Sequence, residues 1–196
     1  NDIWEWISYI SCIWNIKFSF CSFTSISFFC ISFNYYIFIC KADGEIEVLD
    51  PGSIIYNSLF WEGDLYVATA RDLYVYTGNR LHVLRDAELL RGTVVCSLLP
   101  YGNEGMIIAT DFHGLYLYDG KSIRPFTTDA DSYISTNQLY TLAINDYQIA
   151  FGTVLGGVVL TDLQGQNAKY LIRTNGLQNN TVLSLLFDAQ GNLWMG

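Results

Sequence analysis

An all-β fold built of four-stranded antiparallel units, of the β-propeller kind, is what this sequence predicts, and three observations predict it. The chain repeats itself in steps of 41, 43 and 44 residues, marked by small residues at Ala68, Ala109, Gly152 and Gly196. Within each repeat, apolar runs of strand length alternate with turns rich in Gly, Asp or Asn, residues that accept positive φ in tight hairpins. Helical repeats would show a 3.6-residue period, which is absent, and leucine-rich repeats are shorter.

The elements follow one grammar. First strands run from Ser58-Leu59-Phe60, Ser97-Leu98-Leu99, Thr141-Leu142-Ala143 and Ser184-Leu185-Leu186. Second strands end at Ala68-Thr69, Ala109-Thr110, Gly152-Thr153 and Gly196. Third strands are Asp72 to Tyr76, Gly114 to Tyr118 and Gly157 to Thr161. Turns at Thr77-Gly78-Asn79, Asp119-Gly120-Lys121 and Gln164-Gly165-Gln166 lead to fourth strands at Arg80 to Arg85, Ile123 to Thr127 and Lys169 to Arg173. The inner strands are continuously apolar, as expected when both faces of a sheet pack on neighbours. Upstream, Tyr36 to Asp50 reads as second and third strands of one more unit, with a linker too short for a fourth. The expected domain is therefore a partial propeller over 36–196. It holds about three to four blades and is not closed, because closure takes about four to eight. The chain is expected to be a piece of a longer protein whose stability depends on packing between units.

Residues 1–35 carry no assignable domain. The first forty positions contain no Gly, Ala, Val, Leu or Pro, and 23 residues between Lys17 and Lys41 carry no charge. Three readings stay open. Alternation at Phe29, Ile31, Phe33, Tyr35, Ile37 and Ile39 is strand-like. The length suits a membrane or export segment, against many Ser residues and an early Asp2 and Glu5. The abrupt change of composition at Lys41 also fits sequence outside a natural coding frame.

Composition narrows the function classes. A net charge of −9 opposes nucleic acid, since neutralising phosphates needs clustered Lys and Arg. A basic membrane-surface module is disfavoured too. Five cysteines without a C-x-x-C pair, and only His82 and His113, give no zinc-site spacing. Cys96, inside an apolar run, reads as a small buried hydrophobe. No cofactor is expected.

Thr174-Asn175-Gly176-Leu177-Gln178-Asn179-Asn180-Thr181-Val182, followed by Asp188-Ala189-Gln190-Gly191-Asn192-Leu193-Trp194-Met195-Gly196, resembles the regulator-propeller repeat of periplasmic sensor regions in bacterial hybrid two-component regulators. The strong match covers about 22 residues, and weaker copies extend upstream. The resemblance implies an extracytoplasmic, periplasmic ligand-sensing propeller of an inner-membrane protein, non-catalytic in itself and sensing an oligosaccharide. It implies as well a homodimer through the sensor region, and membrane contact only through missing or N-terminal segments. A kinase would lie in parts absent here. The alternatives are a propeller-fold glycosidase or lyase fragment lacking its catalytic residues, and a generic protein-interaction scaffold.

In a propeller, the loops joining second to third strands share one rim with the loops joining unit to unit. The candidate ligand-binding residues on that rim are Arg71, Asp72, Asp111, Phe112, His113, Asn137 and Asn179, with Asp131 to Gln138 read as loop. Polar and aromatic groups together suit a neutral polyhydroxylated ligand or a protein partner; solvated loops are the plainer alternative. Asp188 to Asn192 reads as a hairpin turn rather than a calcium loop, having one carboxylate where several are needed. Trp194 is expected to pack between units.

Overall fold

The computed structural model describes residues 17–23, 26–33, 35–40 and 44–196. Strands β1 (Lys17–Phe23), β2 (Ile26–Phe33), β3 (Tyr36–Cys40) and β4 (Ile46–Leu49) form a first sheet. A second contains β5 (Ile55–Trp61), β6 (Asp64–Thr69), β7 (Leu73–Thr77) and β8 (Arg80–Val83). The third is β9 (Val95–Tyr101), β10 (Gly105–Thr110), β11 (Leu115–Tyr118) and β12 (Ile123–Phe126). β13 (Leu139–Ile144), β14 (Gln148–Thr153), β15 (Val158–Asp162) and β16 (Lys169–Leu171) make the fourth, and β17 (Leu185–Phe187) pairs with β18 (Leu193–Met195) in a final hairpin. All pairs are antiparallel between sequence neighbours, the meander expected of propeller blades. From β5 onward, each strand falls within a few residues of its sequence-derived position.

Upstream the sequence reading needs correction. Tyr36 to Asp50 supplies the third and fourth strands of its sheet, with Ile37 opposite Leu49, rather than the second and third. β1 and β2 supply the first two, and Phe33 pairs with Tyr36 across a turn at Tyr35. The alternating run from Phe29 to Ile39 falls in β2 and β3, paired as a hairpin, in keeping with its strand-like pattern. Among the described residues, no helix is long and apolar enough to cross a membrane.

The chain divides into two compact units, Asn1–Ala87 and Glu88–Gly196. In the first, Ile37 and Ile39 of β3 bury against Leu65 and Val67 of β6, with Tyr74, Tyr76 and Leu81 at the margin. In the second, Ile107, Leu115 and Leu117 of the third sheet pack on Leu142, Ile149, Phe151 and Val159 of the fourth. The opposite face of that fourth sheet shows Ala143, Ala150 and Val158 to Leu185, Phe187 and Leu193 of the hairpin. Small side chains on one side accommodate large ones on the other, which keeps the interior close-packed. Each fully buried Ile, Leu or Phe contributes about 1.5–3 kcal/mol relative to exposure. The second strands β6, β10 and β14 are buried almost throughout, whereas β8 and β16 are largely exposed. In these three sheets burial therefore falls from second strand to fourth.

One backbone device recurs. The first strand of each sheet from the second to the fourth shifts register after its opening residue, leaving Tyr56, Cys96 and Tyr140 out of the ladder. At the matching point of the hairpin, the Leu183 and Ser184 amides both donate to the Gly196 carbonyl, at 2.7 and 2.9 Å. Two residues opposing one is the mark of a β-bulge, and here it repeats with the sequence. The other departure from expectation is α1 (Asp131–Asn137), a short helix where the sequence reads as loop. Thr128 donates twice to the Asp131 side chain at its start, from Oγ1 to Oδ1 at 2.6 Å and from its amide to Oδ2 at 3.1 Å. Ile134 anchors α1 in the core.

Candidate ligand-binding site

The loops after β6, β10 and β14, between second and third strands, are built alike, and a threonine builds them. Thr69 Oγ1 donates to the Asp72 carbonyl and accepts from the Arg71 and Asp72 amides. Thr110 Oγ1 donates to Gly114 O at 2.7 Å and accepts from the His113 amide. Thr153 Oγ1 donates to Gly157 O at 3.0 Å and accepts from the Gly156 amide. The Thr ending β6, β10 and β14 therefore closes the loop that follows it, a role its sequence repetition hinted at but did not specify.

The structure brings part of the candidate set together. Phe112, His113 and Gly114 of the β10–β11 loop face Asp131, Ser132 and Ser135 of α1 across an open pocket of about 360 Å³. Asp111 braces that loop: its Oδ1 accepts from the Val94 and Phe112 amides, and its carbonyl accepts from the Leu139 amide at 2.8 Å. Both oxygens of Asp131 already accept from Thr128, and Ser135 Oγ donates to the Ser132 carbonyl. The pocket thus presents an aromatic face, an imidazole and hydroxyl groups. Ser132 and Ser135 escaped residue-level notice in the sequence because only the helix turns them toward the loop; the Thr-x-x-Asp pattern at 128–131 is the signal that could have placed it.

The remaining candidates lie elsewhere. Arg71 and Asp72 belong to the first compact unit, on the β6–β7 loop. Asn137 serves α1, its Nδ2 donating to the Tyr133 carbonyl while its own carbonyl accepts from the Leu155 amide. Asn179 Oδ1 accepts from the Thr181 amide within a turn. Neighbouring Asn180 accepts from the Arg173 amide through its side chain and from the Gly157 amide through its carbonyl.

Asp188 organises the turn of the final hairpin. Asp188 Oδ1 accepts from the Gln190 and Asn192 amides, and Oδ2 accepts from Asn192 Nδ2 and, at 2.8 Å, from Trp194 Nε1. Those bonds, the indole's first, hold the Asp188 carboxyl down to about 2. Asp162 repeats the scheme between β15 and β16, with the Gln166 amide and Asn167 Nδ2 lowering its pKa. Trp194 is 63% exposed rather than packed between sheets; its ring edge is fixed by Asp188. Cys96, at a bulge, is half-buried, with its thiol 3.4 Å from the Ala109 carbonyl it donates to.

Residues 176–196 match the family model described as two component regulator propeller. No curated protein matches the chain in sequence. Among solved structures, it is similar to the extracellular domain of the putative hybrid two component system BT4673 from B. thetaiotaomicron. The identity is 16% and the TM-score 0.70, over 92% of this chain and 26% of that one. For the extracellular domain of BT3049, another putative hybrid two component system from B. thetaiotaomicron, the figures are 15% and 0.63, over 86% and 24%. PorZ of Porphyromonas gingivalis, described as a surface component of the type-IX secretion system, follows at 14% and 0.55, over 74% and 21%. At such identities the likeness establishes the fold, a β-propeller arrangement of four-stranded sheets. The chain spans about a quarter of the length of the BT4673 and BT3049 domains.

Proposed function

We propose that this propeller segment belongs to the periplasmic sensing region of a hybrid two-component regulator, and that it binds a neutral oligosaccharide without transforming it. The regulator-propeller repeat at residues 176–196 carries the reading. The pocket between the β10–β11 loop and α1 supplies the chemistry. Phe112 offers an apolar face, and His113, Ser132 and Ser135 offer hydrogen bonds, the mixture that suits a polyhydroxylated ring. Asp131, the carboxylate lining that pocket, accepts from Thr128 with both oxygens, which fixes it in the pocket wall as a hydrogen-bonding group.

Titration calorimetry of the chain with maltohexaose, cellohexaose and xylohexaose tests the proposal. One of these should bind, and His113→Ala should weaken that binding about fivefold, the loss of one net hydrogen bond. Affinity indifferent to His113→Ala, or hydrolysis of the sugar during titration, would overturn it.

A further inference from the structure

In the second compact unit, the repeated bulge has one aromatic occupant. Its four positions hold Tyr56, Cys96, Tyr140 and Leu183. Leu139 is buried and its amide donates to the Asp111 carbonyl, fixing the start of β13 beside the loop that carries Phe112 and His113. Tyr140 follows directly. Being out of the ladder, it is not committed to the sheet's interior, and it is 43% exposed, much as Phe112 is at 42%. Bulges re-aim side chains and gather near functional sites.

We propose that Tyr140 and Phe112 together form a stacking subsite for the C–H face of a pyranose ring, alongside the polar pocket of His113, Ser132 and Ser135. The proposal rests on the oligosaccharide-sensing reading and adds a residue that nothing in the sequence repeat singles out. A flat aromatic face next to hydroxyl-bonding groups matches a ring that is apolar above and polar at its edge. Nucleotides also stack, but the net charge of −9, with Asp111, Asp129 and Asp131 close by in the chain, repels phosphate. The charge therefore selects a neutral sugar.

Calorimetry with the three hexasaccharides, and with adenosine monophosphate, tests this on the unaltered chain and its variants. For the sugar that binds, Tyr140→Ala should weaken affinity about fivefold, as loss of one aromatic stacking contact does. Tyr140→Leu, which keeps apolar bulk but no ring, should weaken it equally. Tyr140→Phe should stay within about twofold of the unaltered chain. If Tyr140→Ala and Tyr140→Leu bind normally while His113→Ala does not, the stacking subsite is wrong and the sensing reading stands. If no hexasaccharide binds the unaltered chain, or if adenosine monophosphate binds instead, both are wrong.

Discussion

Two loops of the second unit start from the same scaffold and end differently. The β10–β11 loop and the β14–β15 loop are both closed by a buried threonine, Thr110 and Thr153, and both end in a glycine of positive φ, Gly114 and Gly157. Beyond that they diverge. A Cβ at Gly114 would meet nothing within 4 Å, whereas one at Gly157 would lie 2.3 Å from the Leu171 carbonyl oxygen. At Gly156 a Cβ would fall 2.6 Å from Asn137 and 2.7 Å from Tyr133 of α1. Tyr133 in turn donates through its hydroxyl to the Gly156 carbonyl at 2.9 Å and lies 4.7 Å, centroid to centroid, from Tyr170. One loop is consumed as the seat of the helix; the other stays open and lines the pocket. A repeated framework thus leaves function to whichever copy tertiary packing does not cover.

The largest effect should come from the glycines. Gly157→Ala must push the β15–β16 backbone apart while holding positive φ, a cost on the order of 3–5 kcal/mol. Gly114→Ala bears the conformational penalty alone, about 1–2 kcal/mol. Urea unfolding midpoints compared between the two variants measure the difference; equal losses would mean the loops are equally packed.

A smaller effect separates the two threonines. Thr153→Val leaves the Gly156 amide buried without its acceptor and should cost roughly 1–3 kcal/mol. Thr110→Val deprives the part-buried His113 amide, which water can reach, and should cost about 1 kcal/mol. Hydrogen exchange should accelerate at Gly156 in the first variant and at His113 in the second.

The smallest effect sharpens the comparison at the paired aspartate turns. The Asp188 carboxyl is depressed to about 2, so the stabilisation it brings is complete above the ordinary carboxylate range and is lost as pH falls from near 4 toward 2. The Trp194 indole N–H resonance should follow that titration. Trp194→Phe removes the leading cause and should return Asp188 toward an ordinary carboxylate value, while Asp162, held by Gln166 and Asn167, keeps its depressed one.

Much of the fold was readable because its determinants are local. Glycine and asparagine turns at fixed offsets, and alternating or continuous apolar runs, place β5 to β18 without reference to distant residues. Where the reading slipped, the deciding interactions were longer in range. Tyr36 to Asp50 looks like any inner hairpin, and its rank within a sheet depends on the pairing of β2 with β3. α1 has little intrinsic helical preference in Ser132, Ser135 and Thr136; it forms under Ile134's burial and Tyr133's bond to Gly156. Of the candidate residues, Phe112 and His113 were legible as exposed loop groups. Their partners Ser132 and Ser135 were not, because a helix face does not exist in a loop reading.

The sequence by itself determined the four-stranded repeat, its turns and the regulator-propeller character of the last unit, since each rests on residues within a few positions of one another. Tertiary structure alone decided which of the equivalent loops remains free, which bulged residues meet solvent and where the pocket forms. Those outcomes depend on volume and burial between segments some twenty to forty residues apart, such as Gly156 under Tyr133 and Leu139 against Asp111.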